Sequence, residues 1–321
     1  MNETGTMRRA IDLAASVRAS TSPNPWVGAV IEPGGFDGAT RPPGGPHAEI
    51  VALQAAGDAA RGATMVVTLE PCPHQGRTPP CVDAILEAGI ARVVVGIEDP
   101  DPNVSGKGIA RLREAGVDVE VGVLADEVRA QLAPYLKHRR TGRPWLVLKL
   151  AASADGRTAA PDGSSQWITG EEARTDAHRL RAESDAVIVG AGTVRADDPS
   201  LTVRHVEGQD PLRVVLGKAP PDAKVQPVVE LEGDLDDVLD ELGRRGVLQA
   251  VVEGGATVAG AFHRAGLVDR YVIYLAPALF GGDDGRPLFA DPGAQTIADV
   301  WRGRITNVER LGADLKLEIG A

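Results

Sequence analysis

The chain has 321 residues, enough for two domains rather than one core. Its net charge of −11 and its 3% aromatic content argue against a basic nucleic-acid surface or a base-stacking platform. No apolar run approaches the ~20 residues needed to span a membrane, MNETGTMRR at the start lacks an apolar signal segment, and two cysteines with no signal predict a reducing, cytoplasmic setting.

Helix and strand patterns alternate over the first 125 residues. A helix is predicted near 6–18, strands near 27–31, 64–69, 91–96 and 117–121, and helices at 47–59, 81–89 and 107–115. This is the βαβ rhythm of a layered α/β domain. The Gly/Pro-rich 33–46 reads as a loop leading to His47, and the basic stretch 125–144 as a helix running into a charged linker. The predicted boundaries are 1–142 and 143–321. The second part restarts with an apolar strand, WLVLKLAAS (145–153), interrupted by Lys149. Lysine is rarely buried unless paired, so Lys149 faces water at a strand edge or points into a polar cleft. Thr169 with Glu172 reads as a capping box opening a helix that carries Arg174, Arg179 and Arg181. Later strands end in Gly190-Ala191-Gly192-Thr193 and in Glu253-Gly254-Gly255.

The sharpest chemical signal is His47-Ala48-Glu49 followed by Pro71-Cys72 and Cys81, the only two cysteines of the chain. Catalytic zinc sites use nitrogen and sulfur ligands, three from the protein, with the fourth position open. Zinc base deaminases combine an H-x-E with P-C-x-x-C, the glutamate shuttling protons without binding the metal. Here eight residues separate the cysteines, so that spacing fits only in part. Residues two apart on a helix do not share a face, so Glu49 suits a proton shuttle better than a ligand beside His47. Pro79-Pro80 starts the helix at Cys81, whose dipole favours a thiolate there. A Cys72–Cys81 disulfide and a closed structural site with His74 as fourth ligand are the alternatives.

The glycines of the second half are weaker. Arg195 stands where a dinucleotide fingerprint needs its third glycine, so G-x-G-x-x-G is broken. Two glycine-ended strands, with Arg181, Arg204, Asp197, Asp198 and Glu253 nearby in the pattern, point as readily to tight turns as to a nucleotide and phosphate cleft.

Taken together, PNPWVGAVI (23–31), PHAE (46–49), TLEPCPHQGRTPPC (68–81), LKLAASADGRTA (148–159), SQWIT (165–169), GAGTVRADDPSLTVR (190–204) and VEGGATVAGAF (252–262) resemble the bifunctional riboflavin-biosynthesis deaminase/reductases, the RibD or RibG family, almost end to end. The resemblance implies a cytidine-deaminase-like αβα domain followed by a dihydrofolate-reductase-like α/β domain. It also accounts for the long cysteine spacing. It implies Zn2+ and NADPH, a phosphoribosyl-pyrimidine substrate, and a homo-oligomer without nucleic-acid or membrane partners. His47, Cys72 and Cys81 would bind zinc, with Glu49 as general acid/base. Asn24, His74 and Arg77 would face the first substrate. In the second half Lys149, Asp197 and Glu253 would stand near hydride transfer. Ser165, Arg181 and Arg204 would take the substrate phosphate, and Thr169, Gly190, Thr193, Gly254 and Gly255 the cofactor. Two departures stand out: Thr40 occupies a position where the family often has histidine, and the segment after Val225 is short, which predicts a reduced nucleotide-binding layer. A deaminase with an impaired second domain, or a non-enzymatic zinc-stabilised ligand-binding protein, are the competing readings.

Overall fold

The computed structural model describes residues 2–75 and 79–320, which form two compact units, 1–142 and 143–321. Arg77 lies outside the described residues.

The first unit runs α1 (Glu3–Ser16), a one-turn α2 (Arg18–Thr21), β1 (Gly28–Glu32), β2 (Phe36–Ala39), α3 (Ala48–Ala56), β3 (Thr64–Leu69), α4 (Cys81–Ala88), β4 (Arg92–Ile97), α5 (Lys107–Glu114), β5 (Asp118–Val121), α6 (Ala125–Gln131) and α7 (Ala133–Thr141). Its sheet order is β2-β1-β3-β4-β5. β1 is antiparallel to both neighbours, and β3, β4 and β5 are parallel. Parallel strands need crossover helices, which α4 and α5 supply. Two close approaches fix the layers. A Cβ on Gly28 would lie 1.9 Å from the Ala10 carbonyl oxygen of α1, and one on Gly38 would lie 2.0 Å from the Ala48 oxygen of α3. Gly38 pairs with Ala29, the neighbour of Gly28, so the two glycines face opposite sides of the pleat. Helices α1 and α3 therefore cover opposite faces, the αβα layering implied by the resemblance.

Two predictions for this unit are corrected. Part of the supposed loop 33–46 is strand β2, which forms a hairpin with β1; Gly38, a poor strand former, is used because α3 lies on its backbone. The supposed linker 125–144 is α6 and α7, folded onto the unit through buried Val128, Leu132, Tyr135 and Leu136. The polar residues of this stretch hid its narrow apolar stripe.

The second unit contains β6 (Trp145–Ser153), β7 (Arg157–Ala159), α8 (Glu171–Ala182), β8 (Ala186–Gly190), α9 (Ala191–Asp197), β9 (Leu212–Leu216), β10 (Val229–Leu231), α10 (Leu235–Arg244), β11 (Gln249–Val252), α11 (Ala256–Arg264), β12 (Arg270–Ala276), β13 (Arg286–Pro287), β14 (Arg304–Leu311) and β15 (Asp314–Gly320). Its main sheet has the order β10-β9-β8-β11-β6-β12-β15-β14. The strands from β10 to β12 are parallel, and β15 and β14 are antiparallel additions. Alternation along the strands feeds two cores. Leu146, Leu148, Ile188 and Val252 pack with Val238, Leu239 and Phe262 of α10 and α11. Val147, Val187, Val189 and Val251 pack with Ala173, Ala177 and Leu180 of α8. Both faces are covered, as a parallel sheet requires.

Here too the structure departs from expectation. Thr169 is not a helix cap: α8 begins after Gly170, whose N–H donates to Asp314 Oδ2 at 2.6 Å, while the Thr169 carbonyl accepts from Arg174 at 2.7 Å. A tertiary carboxylate has taken the place of the local capping box. The short segment after Val225 still contains β10, paired in parallel with β9, so the sheet keeps this edge strand.

Gly38→Ala is expected to destabilise the first unit by about 3 kcal/mol, since the new methyl meets backbone rather than a movable side chain. Gly293→Ala, with open space around its Cβ, should stay within about 0.5 kcal/mol of the parent. Urea unfolding of both variants measures the difference.

Candidate active sites

The first site lies where β3 ends and α3 and α4 begin. His47 precedes the first turn of α3, and Cys81 is the first residue of α4 after Pro80. Strand β3 delivers Cys72 between them. His47 Nδ1 is 3.6 Å from Cys72 Sγ and 3.3 Å from Cys81 Sγ, and the three ligand atoms lie within 4.8 Å of one another. Zinc bonds of about 2.3 Å to sulfur and about 2.0 Å to nitrogen place tetrahedral S and N ligands about 3.5 Å apart. The donor set therefore fits zinc in both chemistry and spacing. The Cys81 N–H also donates to Cys72 Sγ at 3.4 Å. Hydrogen bonding to Cys81, then to His47, drives the Cys72 thiol far down toward thiolate against its burial, while the same contact and burial drive Cys81 up. Hydrogen bonding to Cys72 raises His47 against desolvation.

Glu49 is buried and outside the ligand cluster. Desolvation, then the neighbouring Cys72 charge, pushes its carboxyl up to about 7. A carboxyl near neutrality can both take and return a proton. Glu49 lines a cavity of 330 Å³ with Asn24, Thr40, His47, Cys72 and His74. That volume suits one small molecule. His74 lies at the cavity but not in the metal-ligand cluster. The Thr40 hydroxyl is engaged locally, accepting from the Val27 N–H at 3.1 Å.

Four residues at this cavity escaped the sequence reading. Glu70, two residues before Cys72, is buried and accepts four backbone N–H groups: Asp99 at 3.2 Å and Gly106 at 2.9 Å on one oxygen, Gly108 at 2.9 Å and Ile109 at 3.1 Å on the other. It ties the metal-binding loop to the start of α5. Asp99 follows the C-terminal end of β4, the place where parallel sheets bind ligands, and that position was a usable signal. Burial raises its carboxyl to about 6 against hydrogen bonds from the Asp101 N–H and the Tyr135 hydroxyl. Tyr135 and Arg139 of α7 complete the wall. Because 125–144 read as a linker, nothing in the sequence flagged them.

The second site is a cleft of 1540 Å³ above the strand ends of the second unit. It is large enough for a substrate beside a dinucleotide. Lys149, Ser165, Thr169, Arg181, Gly190, Thr193, Asp197, Arg204, Glu253, Gly254 and Gly255 all line it, so the structure brings the whole predicted set together. Lys149 points into this polar cleft, with Nζ 3.8 Å from Glu253 Oε2 and 5.8 Å from the Tyr274 ring centre. Desolvation, then the nearby Arg181 charge, lowers its pKa against the pull of Glu253. Arg181 grips Glu253 with both arms of its fork, Nε at 2.5 Å and Nη2 at 2.9 Å, and its Nη1 donates to the Thr202 carbonyl at 3.1 Å. Burial would raise the Glu253 carboxyl, but the Arg181 and Lys149 charges outweigh it and hold it at about 2. Arg181 is thus committed to a carboxylate, and Arg204 is the more exposed cation.

Gly190, the last residue of β8, and Gly254, two residues past β11, meet one side chain: a Cβ on either would fall within 2.8 Å of Val258. The Gly255 N–H, at the start of α11, donates to Thr193 Oγ1 at 3.2 Å. The reading also missed His178, one turn before Arg181, whose Nδ1 accepts from the Arg204 N–H at 3.2 Å. Burial and the surrounding cations lower it to about 4, so it is neutral near pH 7.

Residues 2–97 match the cytidine and deoxycytidylate deaminase zinc-binding region, and residues 144–317 match the RibD C-terminal domain. The riboflavin biosynthesis protein RibD of Mycobacterium tuberculosis (strain H37Rv) is 46% identical over 333 residues, covering 98% of this chain and 96% of the relative. That of Escherichia coli K12 is 40% identical, covering 98% of both chains. Among solved structures, Acinetobacter baumannii RibD superposes with a TM-score of 0.93 at 39% identity, covering 99% of this chain and 98% of that one. The Thermotoga maritima diaminohydroxyphosphoribosylaminopyrimidine deaminase/5-amino-6-(5-phosphoribosylamino)uracil reductase gives 0.89 at 34% identity with the same coverage. With both halves matched in order and the resemblance running nearly end to end, this chain belongs to the RibD family of bifunctional riboflavin-biosynthesis deaminase/reductases.

Proposed function

We infer that this chain removes an amino group from 2,5-diamino-6-(5-phosphoribosylamino)pyrimidin-4-one in its first unit and reduces the ribosyl chain of the product to ribityl in its second. The observation that carries this reading is the presence in one chain of a His47–Cys72–Cys81 cluster beside buried Glu49 and a Lys149–Glu253–Arg181 cluster beneath two glycine-ended strands.

In the first reaction water replaces the exocyclic amine and ammonia leaves. His47, Cys72 and Cys81 would hold zinc, which would supply Lewis acidity toward that water. Glu49 takes a proton from the water and delivers it to the departing nitrogen, a role its raised pKa favours. Asn24 and His74 hold the ring or its sugar at the cavity mouth, and Arg77 was assigned to the same task from sequence alone.

In the second reaction the cleft would hold NADPH, whose chemistry there would be hydride donation to the opened ribosyl carbon. Lys149 stands ready to hydrogen-bond the oxygen that gains a proton. Arg181 keeps Glu253 ionised and fixed, so Glu253 in turn orients Lys149. Ser165 and Arg204 receive the substrate phosphate. Asp197 stands between substrate and cofactor, and Thr169, Gly190, Thr193, Gly254 and Gly255 form the cofactor side.

The net charge of −11 supports a small-molecule rather than a nucleic-acid substrate. Among the described residues no helix is long and apolar enough to cross a membrane. Free Cys72 and Cys81 support a cytoplasmic setting. Exposed Ile305 and Val308 on the edge strand β14 support assembly into a homo-oligomer.

A coupled assay that follows ammonia and NADPH absorbance together tests the pair of reactions. Glu49→Gln should retain zinc by metal analysis and lose about 10³-fold in ammonia release; a variant that deaminates at the parent rate rejects the shuttle role. Chelation of the metal should abolish ammonia release while the isolated deaminated product is still reduced. Lys149→Ala should lower NADPH oxidation by about 10²-fold or more with ammonia release unchanged. An unchanged reductase rate removes Lys149 from that role.

A further inference from the structure

Side chains two apart on a strand share a face, so Lys149 of β6 follows Val147 onto the face covered by α8. An ammonium therefore stands at the end of an apolar row. Tyr274 of β12 packs into the same core. β12 runs parallel to β6 with Val272 opposite Lys149, which puts Tyr274 on that face too. Its ring centre is 5.8 Å from Lys149 Nζ, within the range at which a ring face attracts a cation. Glu253 is 3.8 Å from Nζ, longer than a hydrogen bond, so the ammonium protons are not spent on that carboxylate.

Behind the ring lies a buried polar group that neither reaction uses. The Tyr274 hydroxyl donates to Asp176 Oδ2 at 2.8 Å, and Lys316 Nζ reaches the same oxygen at 2.8 Å. Arg179 Nη1 donates to Asp176 Oδ1 at 2.8 Å. Burial opposes the Asp176 charge, but the bond from Lys316 outweighs it and keeps the carboxyl below its usual range. Apolar packing would hold β12 against α8 as well as a buried ion pair does. What the ion pair adds is orientation: an ionised acceptor fixes the phenol as the donor and polarises it toward the carboxylate, enriching the ring in electrons. Burial, then the Asp176 charge, pushes the Tyr274 hydroxyl up, so it stays a phenol and gives no proton to the reaction. Among the described residues, Lys149 and Glu253 line the cleft and Tyr274 does not, so the ring acts through Lys149.

We propose that Tyr274 is the positioning residue of the reductase lysine: its ring face holds the Lys149 ammonium off Glu253, with its protons free for the cleft, and Asp176 fixes the ring. The proposal rests on the reductase reading given above.

The test uses the zinc-loaded full chain with Tyr274→Leu, Tyr274→Phe, and Tyr274→Phe carrying one, two or three ring fluorines. Fluorines drain the ring face while leaving its shape nearly unchanged. Each protein is assayed for reduction of the deaminated product. The Lys149 pKa is read by NMR of isotope-labelled lysine, assigned by the signal lost in Lys149→Ala. Glu253 and Arg181, the charged groups facing Lys149, are the same in every variant, so a shift reports the ring. A ring face favours the ammonium, so losing it lowers the pKa. Tyr274→Leu should lower it by about one unit, move the basic limb of the reduction profile down by about as much, and cut kcat about 10-fold with KM within about 3-fold. Ammonia release should stay at the parent rate. Tyr274→Phe should lose about 2-fold in kcat, and each fluorine should lower kcat and the Lys149 pKa further. A purely structural role would not follow the fluorine count. A pKa and kcat that stay flat across the fluorinated series overturn the proposal. If Tyr274→Leu fails to fold, the fluorinated series decides alone.

The NMR titration also separates the proposal from the reductase reading. A pKa that falls with fluorine count, in a chain whose parent oxidises no NADPH, would remove the reductase reading and leave the tie between Tyr274 and Lys149. A flat pKa with an active parent would do the reverse.

Discussion

A buried carboxylate surrounded by peptide N–H groups holds the first active site together. Glu70 accepts four of them, from Asp99, two residues past β4, and from the start of α5, and it stands two residues before Cys72. Four backbone donors fill the acceptor sites of the Glu70 side chain in place of water, so its burial leaves no oxygen without a partner. The arrangement ties three chain segments to one point: the loop of Cys72, the ligand-binding end of β4, and the α5 N-terminus. The metal-binding geometry follows from that tie together with the close seating of α3 on Gly38.

The second site solves the same problem with ions instead of amides. Glu253 is buried and charged because the Arg181 fork and the Lys149 ammonium compensate it. Removing one member of such a group leaves an uncompensated charge, which is far more costly than its net contribution suggests. The cluster is therefore rigid by necessity, and rigidity suits a site in which a substrate carbon must meet a cofactor at close range. Both sites sit at the C-terminal ends of parallel strands, where strand ends and helix starts converge.

Much of this was readable in the residues. The zinc set survived because its ligands lie at element boundaries that proline and apolar periodicity mark clearly. The cleft of the second unit gathered every residue assigned to it, because the stretches that carry the family resemblance, LKLAASADGRTA, SQWIT, GAGTVRADDPSLTVR and VEGGATVAGAF, line its walls, whereas the glycine-ended strands alone fitted tight turns equally well. Where the reading failed, a tertiary contact had overridden a local rule. Thr169 had the composition of a cap, but Asp314 of β15, distant in sequence, satisfies the backbone there. The basic 137–140 run looked like linker because its apolar stripe rests on few residues, Leu132, Tyr135 and Leu136 among them. Glu70 was invisible as an anchor since nothing in TLEP says which backbone amides will surround it.

The bond between the Gly255 N–H and the Thr193 hydroxyl has a consequence for ligand entry into the second cleft. The amide at the start of α11 is not bare while it waits; a side-chain oxygen stands in for an incoming acceptor. When a ligand oxygen takes that amide, one hydrogen bond is exchanged for another, and the hydroxyl is released to turn its own proton toward the newcomer. The swap would be close to neutral in bond count, so an anion taken up here would gain position rather than affinity from this amide. Retention would fall to charge and surface contact elsewhere in the cleft, and when the ligand departs the Thr193 hydroxyl can take this amide back.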